Sequence, residues 1–374
     1  MKIIVFVNEF FGAWGTARGG YGFLARKLLP KALQVDCKDI TFCLGRSKKL
    51  FWSENQYSEE GFRLVKLPKL RFVAAKIVNE FDVVISIEAT VDYLFSLKDR
   101  LDKKIIFWIQ DPRTKKDWDE IETVNLAKEP SYWNDKTYNL VRYCYDLGKI
   151  KFVTQAYFLK GKAIELYGIS GWGGNNISFL PNPVEIKYSI SSLEKKNMII
   201  FLGRLDSVKR GWLFCEIAKN LPNYEFYVLG ASTNHTEENN NSILNDYVML
   251  KNLHFLGHVD GSEKEQYLKN AKILVNTSIH EALPVSFLEA FAFGITVVSN
   301  QNPDGLVAKF GRYVGPSLGD GWDDVPKFVE AIDCLMRDEC KRMQLSLEAE
   351  NYVRRVHDMD NFKSNFMKIL SRNV

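Results

Sequence analysis

The chain is short of most features that would place it in a specialised class. No stretch of its 374 residues approaches the ~18 uncharged apolar residues of a membrane span, so no transmembrane helix is expected. The start, MKIIVFVNEF, has five apolar residues before Asn8 and Glu9, too few for a signal peptide, and reads as a buried first strand. Six cysteines, Cys37, Cys43, Cys144, Cys215, Cys334 and Cys340, show no C-x-x-C spacing, and the five histidines do not cluster with them. That argues against a zinc site and favours reduced thiols in a cytoplasmic protein over a disulfide framework. No G-x-G-x-x-G is present, which speaks against a dinucleotide-dependent oxidoreductase. No repeat of 20–50 residues is evident. Histidine is missing from the first 234 residues. Four N-x-S/T matches, at Asn176, Asn234, Asn240 and Asn276, carry no weight as glycosylation sites, because Asn276 falls inside an apolar strand pattern.

What is present is a soluble-type composition, 46% hydrophobic and 26% charged. The length suits about two domains. Net charge is +4 but uneven: residues 1–180 hold 28 Lys+Arg against 21 Asp+Glu. Such a half can favour an anionic membrane surface or acceptor, although a solvated surface explains an excess this small. No nucleic-acid partner is expected.

Short β-branched runs alternate with helix-length segments. Strand candidates are 3–7, 82–87, 104–109 and 151–155, and the rhythm restarts at 197–203, 225–230, 254–257, 271–277 and 295–300. This pattern predicts α/β architecture with parallel sheets. Between the halves, FLPNPVEIKYSISSLEKK combines two prolines, a serine cluster and charge, the composition of a hinge near residues 183–196. The expected organisation is therefore a domain over 1–183, a second over 184–354, and a terminal segment 355–374 packing back toward the first. Phe362, Phe366 and Ile369 make that segment an amphipathic helix. The Asn-rich stretch 232–242 reads as an exposed loop.

Three constellations carry chemistry. In IHEALPVSFLEAFAFGITVVSN (279–300), two carboxylates interrupt an apolar strip. Glu281 falls in the loop at a strand's carboxyl end, where open α/β sheets bind ligands. Glu289 is expected in the first turn of a helix ending at Gly294; Ser286-x-x-Glu289 as a capping box is the structural alternative. In FLGRLDSVKRG (201–211), Gly203 ends a strand and is followed by Arg204 and then Lys209, a guanidinium and an ammonium that can grip an oxyanion. In ARGGYGFLARKLL (17–29), Gly19, Gly20 and Gly22 free backbone amides before a helix, a weak signal for an anion cradle.

Taken together, the glycine pair after the first strand, strand-G-R-x4-K, and E-x7-E followed by A-x-x-x-G resemble the retaining GT-B glycosyltransferases of family 4. FVTQAYFLKGKAIELYGIS followed by ISFLPNPV is similar to the end of that family's N-terminal domain. The resemblance implies two Rossmann-like doubly wound domains facing across a cleft. It implies that Arg204 and Lys209 bind the donor diphosphate, that Glu289 accepts from the ribose hydroxyls, and that Glu281 faces the donor sugar. The turn Leu283-Pro284-Val285-Ser286 would present amides to sugar and phosphates, and Gly257, His258 and Val259 match where the family holds the base. Gly203 belongs to the same nucleotide set. Gly19 and Gly20 would approach the diphosphate from the other domain. Many members carry a histidine where this chain has Gln110-Asp111; Gln110 can still hydrogen-bond a sugar. His280 reads as a loop histidine shaping the site.

The activity so implied is metal-independent retaining transfer from a nucleoside-diphosphate sugar, a co-substrate rather than a cofactor, to a saccharide or lipid-linked acceptor. Surface polysaccharide or glycoconjugate synthesis is the expected setting, in the cytoplasm or peripherally at the inner face of a membrane through the basic N-terminal half. The rivals are a sugar-nucleotide epimerase on the same fold and an inactive homologue acting as a partner or scaffold.

Overall fold

The computed structural model describes residues 1–128, 130–169, 177–232 and 242–371. The Asn-rich stretch, but for its two end residues, and Asn176, Asn234 and Asn240 lie outside them. The chain forms two compact units: Met1–Thr114, Trp133–Pro183 and Met359–Val374 in one, and Lys115–Tyr132 with Val184–Asp358 in the other.

The first unit is built on an eight-stranded sheet of β1 (Ile3–Phe6), β2 (Ile40–Arg46), β3 (Glu54–Tyr57), β4 (Arg63–Leu67), β5 (Val83–Ile87), β6 (Ile105–Ile109), β7 (Ile150–Thr154) and β8 (Ser178–Phe179). Their spatial order is β3-β4-β2-β1-β5-β6-β7-β8. The pairings are parallel save β3–β4. The central strands are buried along their whole length, as helix-covered parallel strands must be. After β1 the chain turns to one side for β2 and later crosses to the other for β5. The strand order thus switches between β1 and β5.

The second unit repeats the plan with β9 (Met198–Leu202), β10 (Glu225–Leu229), β11 (Leu253–Gly257), β12 (Ile273–Asn276), β13 (Thr296–Ser299) and β14 (Gly311–Tyr313), ordered β11-β10-β9-β12-β13-β14. Its switch point lies between β9 and β12. The nine strand candidates read from apolar runs all form. The unforeseen ones are short, polar or glycine-interrupted, such as exposed β3, ENQY.

Three differences from the expected organisation have physical causes. Residues 115–132 belong to the second unit, because Trp118, Ile121, Val124 and Ala127 are buried in one cluster with Phe201, Trp212 and Phe328. Backbone amides of Asn125 and Leu126 also donate to Asp320 Oδ1, at 2.8 and 3.0 Å. Second, the hinge segment beyond Val184 is packed rather than free. Ile190 is buried against Gly294, where a Cβ would stand 2.7 Å from Ile190 Cγ2. Third, the second unit ends at Asp358 rather than 354, since helix Glu339–Val356 buries Leu345, Ala349 and Val353 there. The terminal helix, Met359–Ser371, packs in the first unit, with Phe362 5.3 Å from the Trp108 ring.

Candidate functional site

In the second unit, the switch point assembles charge from two loops. After β9, Asp206 caps the turn Ser207–Lys209 by accepting from the Lys209 amide at 3.1 Å. That turn aims Lys209 at the loop following β12. There Lys209 Nζ meets Glu281 Oε1 at 2.5 Å, both side chains being largely buried. The same oxygen accepts from Ser278 Oγ at 2.6 Å and Asn276 Nδ2 at 2.9 Å. Burial alone raises the Glu281 pKa, but Lys209, Ser278 and Asn276 together outweigh it and hold the carboxyl below its ordinary value. Asn276 is buried and also accepts from Ser299 Oγ, so its N-x-S match is a structural element of the site.

Arg204 follows Gly203 off the end of β9, and its Nε lies 3.2 Å from Asp206 Oδ2. The neighbouring strand end comes very close: a Cβ on Gly230 would stand 1.7 Å from the Gly203 carbonyl oxygen, so only glycine fits there. Gly203, Arg204, Lys209 and Glu281 are thus gathered at one sheet edge.

Glu289 stands in the second turn of helix Val285–Ala292, not the first as expected. The N-cap is Pro284 and no side chain caps the helix, so the capping box does not form and gives no reason for either Ser286 or Glu289. The carboxylate pairs instead with Lys264 of helix Gly261–Asn270, at 2.7 Å. Lys264 had no signal in the sequence; a lysine on a surface-type helix is usually solvated. Leu283 is buried, and Pro284, Val285 and Ser286 form the half-buried helix entry. Gly257 ends β11 in the left-handed region, φ +69°, followed by exposed His258 and buried Val259. Gly257 also lines a cavity of about 270 Å³ with Leu205, Gly230 and Phe255.

His280 is buried, its Nδ1 3.4 Å from Asp117 Oδ1. It therefore ties segment 115–132 to the Glu281 loop. Two Asp-x-Asp triplets that the metal-free expectation left out, Asp117-Trp118-Asp119 and Asp358-Met359-Asp360, split their carboxylates between protein contacts and solvent. Asp117 faces His280 and Asp360 Oδ1 accepts from Gln34 Nε2 at 3.0 Å, while Asp119 is exposed.

The first unit carries its own polar cluster at the β1/β5 switch point. Glu88, directly after β5, adopts φ +52° and is buried. Its Oε2 accepts from the amides of Gln110 at 2.6 Å and Asp111 at 3.0 Å, and its Oε1 accepts from the Tyr167 hydroxyl. Burial dominates, so the carboxyl pKa rises to about 7 despite these donors. Gln110 is 2% exposed, and both ends of its amide are engaged by Asn182, at 2.9 and 3.0 Å. Asn182 also donates to Gln155 at 2.6 Å. A sugar contact through the Gln110 side chain, as expected above, would require breaking this network. Asp111 is more accessible and pairs with Arg113 at 2.9 Å.

The glycine loop holds an anion of the protein's own. Gly22 N–H donates to Glu9 Oε2 at 3.2 Å, and a Cβ on Gly19 would lie 2.3 Å from that oxygen. A Cβ on Gly20 would meet nothing within 4 Å. A Cβ at Gly19 would thus displace the Glu9 carboxylate, the movable end of a side chain, while one at Gly20 would displace nothing. Glu88, Glu9 and Asn182 escaped the sequence reading, although Glu88 shows the same signal as Arg204: a charged residue just past an apolar strand.

The comparisons agree on class. Residues 185–352 match the family described as glycosyl transferases group 1. A curated relative from Campylobacter jejuni, GalNAc-alpha-(1->4)-GalNAc-alpha-(1->3)-diNAcBac-PP-undecaprenol alpha-1,4-N-acetyl-D-galactosaminyltransferase, is 28% identical over 219 residues. The match covers 52% of this chain, which spans about half, 54%, of that relative's length. Among solved structures, Anabaena HepE in complex with UDP is similar over 100% of both chains, with TM-score 0.73 and 11% identity. Sucrose-phosphate synthase from Thermosynechococcus elongatus is similar over 100% of this chain and 99% of that one, with TM-score 0.70 and 13% identity.

Proposed function

We propose that the protein transfers a sugar from a nucleoside-diphosphate donor to a saccharide or lipid-linked acceptor, on the premise that residues 185–352 match the glycosyl transferases group 1 and the fold is GT-B. The observation that carries this reading is the largely buried Lys209–Glu281 pair at the β9/β12 switch point, with Arg204 leaving the same strand end. Two cations at that edge suit a diphosphate, and a carboxylate held ionised accepts hydrogen bonds from sugar hydroxyls.

In the proposed mechanism, Arg204, Lys209 and the amides of the helix entry at Val285 and Ser286 stabilise the departing nucleoside diphosphate as positive charge develops on the sugar. Glu289, paired with Lys264, would take the ribose hydroxyls, and the Gly257-His258-Val259 turn the base. Retention of configuration and independence from metal belong to the proposal: the side-chain cations fill the role a metal would otherwise have. The setting proposed is cytoplasmic glycan or lipid-linked glycan synthesis.

The test is a thermal-shift panel with UDP, GDP, ADP, CMP and dTDP and their sugar conjugates in EDTA. A ligand at about 100 times its Kd adds roughly 2.7 kcal/mol of stability. A shift with one base that survives EDTA and is lost in Glu289→Ala supports the site. No shift with any nucleotide would sink it and turn attention to a scaffold role. With a donor in hand, Arg204→Ala should lower turnover on the order of 100-fold or more with the fold intact. An isomeric sugar nucleotide without glycoside would mean an epimerase.

A further inference from the structure

At the carboxyl ends of β2 and β4, the first unit builds a platform that its own core does not use. The Ser47 amide donates to Leu67 O at 2.7 Å, Lys69 to Lys49 O at 2.9 Å and Leu70 to Leu50 O at 3.1 Å. These bonds continue the parallel β2/β4 ladder beyond its strands. The Tyr93 hydroxyl lies 2.6 Å from Pro68 O and 2.9 Å from Lys69 O, pinning the second segment from behind. The backbone here is therefore held on both sides.

From this fixed base the chain projects apolar side chains outward. Leu50, Phe51 and Trp52 are consecutive and exposed, Trp52 to 72%. Phe72, in the first turn of helix Arg71–Asn79, is 59% exposed, while Ala74, Ala75 and Val78 take the buried face of that helix. Four such residues displayed on a pinned backbone are not accounted for by packing within the unit.

Their neighbours supply a charge of one sign. Lys48 and Lys49 precede the apolar run, and Lys69 and Arg71 flank Phe72; all four are exposed. The one carboxylate near the first run, Glu54, is turned back to accept from Ser47 Oγ at 2.7 Å and the Lys48 amide at 3.1 Å.

We propose that this platform, Leu50–Trp52 with Phe72 rimmed by Lys48, Lys49, Lys69 and Arg71, seats the protein on an anionic phospholipid bilayer. Tryptophan settles at the headgroup level, where its amphipathic ring has both its environments, and leucine and phenylalanine bury their apolar side chains at the acyl boundary. Each lysine or arginine near an anionic surface strengthens binding about fivefold. The platform lies at the carboxyl edge of the same sheet as Glu88 and Asp111. Its bearing on a lipid-linked acceptor rests on the function proposed above; the surface itself does not.

The experiment is co-sedimentation of the full chain with vesicles of phosphatidylcholine alone and of phosphatidylcholine with phosphatidylglycerol. Binding is expected to the anionic vesicles and to fall with added salt. Phe51→Ser/Trp52→Ser should weaken it at least tenfold. Lys48→Ala/Lys49→Ala should weaken it about thirtyfold if two cations act independently. Equal binding to neutral vesicles, or unchanged binding in both variants, overturns the proposal. So does a dimer in the native chain that Trp52→Ser abolishes, which would assign the face to a second copy. Nucleotide thermal shifts in the same samples separate a failed membrane surface from a failed donor site.

Discussion

Lys209 and Glu281 share one largely buried contact and depend on each other. Removing the ammonium leaves a buried carboxylate without its cation, and such losses cost about 3–5 kcal/mol. Lys209→Ala should fall at the lower end, because the lysine side chain keeps 22% exposure. Urea unfolding at neutral pH checks this; a loss below about 1 kcal/mol would show that Ser278 and Asn276 alone keep the carboxylate satisfied. Glu88 makes the opposite prediction. Its folded pKa is raised to about 7 from an ordinary value near 4.5. The folded state thus holds its proton more tightly, so the contribution is present below about pH 4.5 and is lost as pH rises toward 7. Glu88→Gln should flatten that part of the stability profile, by at most about 3 kcal/mol. Urea midpoints of both proteins at pH 5 and 7 measure it, and parallel profiles would reject the raised pKa.

Elements carry their own constraints. The end of β9 and the end of β10 approach so closely that a Cβ on Gly230 would sit 1.7 Å from the Gly203 carbonyl oxygen, and backbone cannot step aside as a side chain can. Gly230→Ala is expected to displace the turn that carries Arg204, costing more than about 3 kcal/mol and any nucleotide-induced shift. Gly20→Ala is the control: no atom lies within 4 Å of the added carbon, and the unfolding midpoint should hardly move. In the helical stretch that follows, Leu24–Leu28 forms a π turn just before Pro30. A proline ring crowds the carbonyl one turn back and donates no hydrogen bond there, and the wider turn accommodates it.

At the scale of the whole molecule, the units exchange chain. Cutting at residue 183 would remove Trp118, Ile121, Val124 and Ala127 from the core of the second unit, and Phe362, Phe366 and Ile369 from the first. Neither fragment, 1–183 or 184–374, is expected to unfold cooperatively alone. Circular dichroism melts of the separate and co-expressed fragments test this, and two sharp independent melts would contradict it. In the intact chain, Trp118→Ala should cost about 3–5 kcal/mol.

The nine strands read from apolar runs were legible because a parallel strand buried on both faces must be an unbroken apolar run, and such runs are local; β2, though seven residues long, was missed where a glycine and an arginine end its run. Arg204, Lys209, Glu281 and Glu289 were singled out for a related reason: charge next to such runs stands out. What the sequence could not show is pairing across distance. Nothing near Glu289 names Lys264, nothing near Gln110 names Asn182, and nothing in residues 115–132 announces that they leave the unit on either side of them. The Ser286-x-x-Glu289 pattern even suggested a cap that the helix, starting at Val285 behind Pro284, does not make. Periodicity fixes where strands and helices form, since each residue's own side chain decides whether it faces water. Partners of buried polar groups are decided only when the folded chain brings separate segments together, because the cost of leaving such groups unpaired is settled there.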